Sequence, residues 1–312
     1  MPKTHEILIT LGDPAGIGPE ITLKALQKRE KRGEVRYRLI SHPAIKEWFS
    51  PLLSREDIVW EYVGEEVDFS LSWGQESPEG GKIAYLSLMR AIELIRQGVS
   101  SLLVTAPLSK RTVHLWDKHF VDHTTFLADT FGVEEYRMAF WGEKFGVVLE
   151  TIHIPLREVP SLLSPSHLAK TIEMASSFAL NLFGPKAKVA LCGLNPHAGE
   201  GGLLGNEEKT ILIPIVEEMK QKGFAVDGPL PADTVFFQAL QGKYQVVIAL
   251  YHDQGLAPFK MVSFESGVNL TLGLPFVRTS PDHGTAFDIA GKGIASSKSM
   301  ENAIEVALCL RK

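Results

Sequence analysis

The chain has 312 residues, 45 % of them hydrophobic and 22 % charged, with a mean hydropathy of +0.04, which describes a globular protein large enough for two domains rather than a disordered or membrane one. Its 32 basic and 37 acidic residues leave a net charge of −5, which excludes the basic surplus of a nucleic-acid binder, and no apolar run approaches the ~18 residues of a membrane span. Two cysteines, Cys192 and Cys309, are too few for a disulfide scaffold, and the apolar run 7–11 is too short for a secretion signal, so a cytoplasmic protein acting on a small molecule is expected.

In chain order, residues 6–11 read as a strand, 12–18 as a glycine-rich turn, and Pro19-Glu20 as the opening of a helix, a start at which an anion can sit. The turn, Gly12-Asp-Pro-Ala-Gly16-Ile-Gly18, lacks the third glycine of the dinucleotide fingerprint, and a plain tight turn explains it equally well. Residues 35–41, a short helix from Pro43 and residues 57–63 continue a strand and helix alternation. Residues 74–81 are expected as loop, and Ile83, Leu86, Met89, Ile92 and Ile95 then recur at helical spacing. A buried strand, 101–106, ends in the polar set Thr105 to Lys110.

The stretch Asp122-His123-Thr124-Thr125 is suited to cap a helix carrying Phe126, Leu127 and Phe131. Strands are expected at 137–141, 146–154 and 188–194, helices at 165–183 and 207–222, and a loop with Asp233 at 228–234. An uninterrupted apolar run, 246–250, predicts a strand buried on both faces that delivers His252, Asp253 and Gln254 before Gly255 turns the chain. Strands at 268–272 and 276–279, a glycine-punctuated loop at 281–293 and a closing helix at 299–310 complete the chain.

Three of the ten histidines share one context. His153, His197 and His252 each follow an apolar strand, at separations of 44 and 55 residues, so three neighbouring strands would bring three imidazoles to one sheet edge. Polar groups at strand ends are where an open α/β sheet builds its site, and three histidines suffice for a catalytic divalent ion. Each taken alone reads as an ordinary histidine at a strand end; the shared context favours the metal site. Asp233 and Asp253 are candidates to orient those imidazoles, with turn chemistry as the plain alternative. Lys260 and Arg278 are candidate anion binders, unless they are solvated surface charges. The loop from His283 through Gly284, Asp288 and Gly291 has the glycine density of a segment lying close to a ligand.

The motifs Gly12-Asp-Pro-Ala-Gly-Ile-Gly-Pro-Glu-Ile21, Thr105-Ala-Pro-Leu-Ser-Lys110, Leu194-Asn-Pro-His-Ala-Gly-Glu-Gly-Gly202, Pro231-Ala-Asp-Thr234, Tyr251-His-Asp-Gln-Gly255 and Val268-Asn-Leu-Thr-Leu-Gly-Leu-Pro275 occur in order along nearly the whole chain. Together they closely resemble the PdxA family, the 4-hydroxythreonine-4-phosphate dehydrogenases of vitamin B6 biosynthesis. The loop at 283–293 and the turn from Gly12 are also similar to those of isopropylmalate and isocitrate dehydrogenases. The resemblance implies their two-domain α/β/α fold, with the active site in the interdomain cleft near the interface of a homodimer. The expected domains are 1–128 with 268–312, and 129–267.

The resemblance further implies His153, His197 and His252 as ligands of zinc, magnesium or cobalt. It makes His123, Thr124, Lys260, Asn269 and Arg278 the substrate-binding set, and Lys260, Asp233 and Asp253 the catalytic candidates. NAD or NADP would lie against Gly12, His283, Gly284, Asp288 and Gly291. The implied reaction oxidises the C3 hydroxyl of 4-phosphooxy-L-threonine, a small phosphorylated hydroxy-amino acid, to 2-amino-3-oxo-4-phosphooxybutanoate, which decarboxylates to 3-amino-2-oxopropyl phosphate.

The chain departs from the family pattern at Asp122 and Thr125, where the family carries glycine before the His-Thr pair and an acidic residue after it. A carboxylate at Asp122 beside a phosphate site is electrostatically unfavourable unless it points away. The rival expectation is therefore a dehydrogenase of 4-phospho-D-threonate or 4-phospho-D-erythronate in sugar-acid catabolism. A ligand-binding protein without activity and a metal-dependent hydrolase are more distant alternatives.

Overall fold

A computed structural model describes residues 5–29 and 33–311. Its strands are β1 (His5–Thr10), β2 (Val35–Ser41), β3 (Ile58–Tyr62), β4 (Leu102–Thr105), β5 (Arg137–Trp141), β6 (Gly146–Leu149), β7 (Val189–Cys192), β8 (Val226–Leu230), β9 (Val246–Ala249), β10 (Val268–Leu272) and β11 (Val277–Pro281). The α-helices are α1 (Gly18–Gln27), α2 (Pro78–Arg96), α3 (Lys110–Val113), α4 (His123–Phe131), α5 (Val159–Leu162), α6 (Pro165–Phe183), α7 (Ile213–Gln221), α8 (Ala232–Leu240), α9 (His252–Ser263) and α10 (Lys298–Cys309). The chain divides into two compact units, Met1–Glu134 with Leu274–Lys312, and Glu135–Gly273.

In the first unit the strands run in the order β3-β2-β1-β4-β11, and every pairing is parallel. Parallel strands covered on both faces need apolar residues on both, and Ile7, Leu8 and Ile9 are wholly buried in succession. The helix α2 starts at Pro78, inside the segment expected to be loop. Ser77 sets that start: its Oγ accepts the N–H of Gly80 at 3.0 Å while proline takes the first helical position.

The second unit has the order β10-β5-β6-β9-β7-β8. β10, β5 and β6 pair antiparallel, and β6, β9, β7 and β8 pair parallel. β10 was expected in the first domain, but its ladder with β5, from Val268 opposite Trp141 to Leu272 opposite Arg137, ties it to the second unit. Part of the expected loop at 228–234 is strand β8, an edge strand on which Gly228 and Pro229 are tolerated. β6 ends at Leu149 rather than at residue 154.

A further correction concerns Gly255, which does not turn the chain. α9 begins at His252 and runs straight through it. A Cβ at Gly255 would lie 2.7 Å from Val147, 2.9 Å from Ala249 and 3.0 Å from Leu149, so the absent side chain lets the helix close onto β6 and β9. The apolar interior on this face includes Val147, Leu149, Ala190, Val247, Leu256 and Phe259.

Candidate active site

The parallel strands β6, β9 and β7 are neighbours, with Val147 opposite Val247 and Ala190 opposite Val247. A candidate histidine follows the carboxyl end of each. His153 and His252 are brought together, their ring centroids 5.6 Å apart and their planes inclined at 42°. They line a depression of about 350 Å³ with Ile152, Tyr251 and Asp253. Among the described residues no group of three His, Cys, Asp or Glu side chains is close enough to hold one ion, so His197 does not complete the pair in this conformation.

His252 Nδ1–H donates to Asp253 Oδ1 at 2.7 Å. That bond fixes the ring and leaves Nε2 for a ligand. Asp233, the other carboxylate considered for this role, is exposed in the first turn of α8. Lys260 is half-buried two turns beyond His252 on α9, roughly 12 Å along the axis, and Asn269 is half-buried on β10.

His197 lies in a turn that the sequence patterning does not anticipate. Five consecutive residues are left-handed: His197 (φ 53°), Ala198 (52°), Gly199 (80°), Glu200 (44°) and Gly201 (64°). Three of these carry side chains, and the conformation costs each roughly 1–2 kcal/mol. The exit from β7 is tied down on two sides. Gln254 Nε2 donates to Gly193 O at 2.8 Å while its Oε1 accepts Leu250 N–H at 2.7 Å, bridging the ends of β7 and β9. Glu208 Oε1 accepts the N–H groups of Leu194 and Asn195, both at 2.8 Å. Gln254 was noted from the sequence only as a polar residue at a strand end, without a role, and Glu208 was not singled out, since a lone Glu beside a motif carries no distinguishing pattern.

In the first unit, Arg278 on β11 is 4 % exposed and leans along β4 to donate through Nη2 to Thr105 Oγ1 at 2.9 Å. Burial lowers its pKa to about 10, and the nearby Asp122 carboxylate works in the opposite direction. His123 opens α4, and its pKa is held well below the ordinary value by desolvation first, then by the positive charges of Arg278 and Lys110. Thr124 beside it is buried. Asp122 is the N-cap of α4, its Oδ1 accepting Thr125 N–H at 3.0 Å. The buried Arg278 and the exposed Lys110 are thus the cations of this region, and His123, held neutral between them, adds a polar ring nitrogen; an anion would be stabilised there.

The glycine turn and the loop at 283–293 also meet within this unit. Gly12 has φ +69°, and a Cβ there would lie 2.0 Å from Pro107 O, so only glycine permits the approach of the β1 turn to the segment after β4. Ile17 N–H donates to Thr285 O at 2.9 Å, and the buried Glu20 accepts Ala295 N–H at 2.9 Å. The loop is therefore pinned at both ends to the turn and α1. Gly291 packs against Trp73, Gly284 and Asp288 are exposed, and His283 Nδ1 lies 3.1 Å from Gly284 O. Asp13 in the turn is wholly buried, and burial raises its pKa to about 6 despite the N–H of Ala15 on Oδ1. A recess of about 230 Å³ lined by Ala15, Asp68, Ser72, Gln75, Glu76 and Ser77 adjoins the turn.

The chain is similar to known proteins along nearly its whole length. Residues 19–307 match the model of the PdxA family, described as pyridoxal phosphate biosynthetic protein PdxA. The chain is 40 % identical over 326 residues to a 4-hydroxythreonine-4-phosphate dehydrogenase of Desulfosudis oleivorans, covering 97 % of this chain and 96 % of that protein. It is 39 % identical over 330 residues to a D-threonate 4-phosphate dehydrogenase of Salmonella typhimurium, covering 99 % of each. The crystal structure of 4-hydroxythreonine-4-phosphate dehydrogenase from Klebsiella pneumoniae superposes with a TM-score of 0.81 at 36 % identity, covering 98 % of each chain. An isocitrate dehydrogenase from Methylococcus capsulatus shares the fold alone, with a TM-score of 0.51 at 14 % identity over 98 % of this chain and 85 % of that one. The α/β architecture is thus that of the isocitrate dehydrogenase-like enzymes, and the chain belongs to the PdxA family.

Proposed function

We propose that this oxidoreductase acts on the C3 hydroxyl of 4-phosphooxy-L-threonine, using NAD or NADP and a divalent ion, in the formation of pyridoxal phosphate. The observation that carries the reading is the buried Arg278 guanidinium beside a neutral His123, with the exposed Lys110 adding positive charge, an arrangement that suits a phosphate, in a chain whose relatives act on 4-phosphorylated hydroxy acids by name. His153 and His252 fit a divalent ion, with Asp253 leaving Nε2 of His252 available, and His197 follows the adjacent strand as the third candidate. Imidazole donors suit zinc or cobalt better than magnesium, which prefers oxygen.

When bound, the nicotinamide would supply a hydride acceptor and the ion would supply positive charge for the oxygen on C3, the carbon being oxidised. Arg278, His123 and Thr124 are assigned to the phosphate end of the substrate, with Asn269 as a further hydrogen-bonding group. Lys260 is assigned to the proton of the C3 hydroxyl or to a substrate anion; Asp253 orients His252, and Asp233 is a second carboxylate candidate. The turn at Gly12 and the loop of His283, Gly284, Asp288 and Gly291 are assigned to the coenzyme. Hydride leaves C3 and the hydroxyl proton leaves with it, giving the 3-keto acid. Cleavage of the C1–C2 bond then releases carbon dioxide, and C2 takes up a proton.

A homodimer is supported by the outer side of α9 and the residue after it, where Met261 is 88 % and Phe264 71 % exposed. The second reading, oxidation of 4-phospho-D-threonate, is favoured by Asp122 and by a relative of that name at nearly the same identity. Parallel steady-state assays with both phosphates, each with NAD or NADP and zinc, cobalt or magnesium, decide between them. We expect coenzyme reduction and carbon dioxide release with 4-phosphooxy-L-threonine. Turnover of the D-threonate ester alone would overturn the assignment. His252→Ala is expected to abolish metal-dependent turnover while the circular dichroism spectrum is retained.

A further inference from the structure

We propose that Glu208 is a positioning residue for His197: its buried carboxylate holds the left-handed turn on which His197 follows β7, the strand that pairs with the β9 strand preceding His252. The inference rests on the reading above that His197 is a metal ligand. A run of five left-handed residues persists only where its surroundings over-determine it, and here the surroundings converge on one side chain. Glu208 is 1 % exposed. Its Oε1 accepts the two backbone N–H groups that immediately precede the turn, those of Leu194 and Asn195, and its Oε2 accepts Asn195 Nδ2 at 2.9 Å. Asn195 Nδ2 also donates to Glu207 at 2.7 Å.

The turn then wraps the same carboxylate from its other side. A Cβ on Gly199, which has φ +80°, would lie 2.7 Å from Glu208 Oε2. Glu208 therefore fixes the backbone on either side of His197, from Leu194 through Gly199. Its hydrogen-bond partners among the described residues are backbone and amide N–H groups rather than cations, so the charge serves to gather donors of the loop. Glu208 also opens a π-turn, Glu208–Leu212, a geometry that recurs at functional sites. The Gln254 bridge from Gly193 to Leu250 couples the base of this turn to the residue two positions before His252. Loss of the carboxylate would release the turn and weaken the ion site without touching the ion itself.

The test is a cobalt(II) titration of the chelator-treated full-length chain, followed by visible absorption, in wild type, Glu208→Gln and Glu208→Ala. Wild type should bind, Glu208→Ala should bind roughly 10- to 100-fold more weakly, and Glu208→Gln, which keeps one oxygen for the two backbone N–H groups, should lose less. Circular dichroism is expected to be unchanged. Equal cobalt affinity in wild type and Glu208→Ala overturns this inference alone. Absence of cobalt binding by wild type overturns the metal reading on which it rests. If Glu208→Ala does not fold, Gly199→Ala, which pushes a methyl group against the intact carboxylate, takes its place. Unchanged affinity in Gly199→Ala and Glu208→Gln together then overturns the assignment.

Discussion

Asp122 exerts two opposed effects from one side chain. As the N-cap of α4 it satisfies the N–H of Thr125, and as a charge it offsets the positive field at Arg278. Asparagine caps a helix about as well as aspartate but carries no charge. Asp122→Asn is therefore expected to leave stability within about 0.5 kcal/mol while lowering KM for the phosphorylated substrate by roughly threefold to tenfold. Urea denaturation and steady-state kinetics on the same preparation check both halves; an unchanged KM would show that the carboxylate does not act on the anion. At this scale the sequence placed His153 and His252 after strand ends, and the structure brings their rings together; the cap falls on Asp122 within the stretch 122–125. The sequence was silent on Glu208 and on the role of Gln254, because their importance comes from partners remote in sequence, 13 and 14 residues away for Glu208 and 61 for the Gly193 carbonyl that Gln254 reaches.

Among elements, periodic apolar spacing located helices and strands where burial is one-sided or complete. The helix expected at 165–183 is α6 residue for residue, and within the stretch 122–125 expected to hold a cap it is Asp122 that caps α4. Legibility failed at Gly255, which was read as turning the chain. α9 contains both Gly255 and Pro258, yet it remains helical because packing on β6 and β9 outweighs local propensity. This gives Gly255 a measurable role. In Gly255→Ala the added methyl group meets Val147, Ala249 and Leu149 at 2.7–3.0 Å, so α9 must shift away from the sheet. Overpacking of this kind costs about 1–3 kcal/mol, against the gain of less than about 1 kcal/mol that alanine brings to an exposed helix. The expected net effect is destabilisation in urea together with weaker metal binding, since His252 begins the displaced helix. A variant more stable than the parent would show that the helix is not seated against the strands.

At the scale of the whole molecule, alternating strands and helices announced an α/β protein, and ordered motifs announced its family before any coordinates. Unit membership was less legible: β10 and β11 are adjacent in sequence, and only the ladder of β10 with β5 assigns it to the second unit. Global stability also carries a signature of the proposed site. Asp13 is wholly buried in the glycine turn, and its Oδ2 has no hydrogen-bond partner among the described residues. Its pKa of about 6 lies above the ordinary 3.8, so the folded state binds this proton more tightly than the unfolded one. The stabilisation linked to that proton is fully present below about pH 4 and is lost as pH rises through about 6. At neutral pH the folded protein therefore bears a buried carboxylate at a cost on the order of 3 kcal/mol. Asp13→Asn removes the charge and keeps an oxygen for the N–H of Ala15. The variant should exceed the parent in stability at pH 8 by more than at pH 5, measured by urea unfolding at both. A constant difference across that range would mean that Asp13 titrates normally in the folded chain. If the gap widens as expected and coenzyme affinity falls, the buried charge is retained for the turn's function at the expense of the fold.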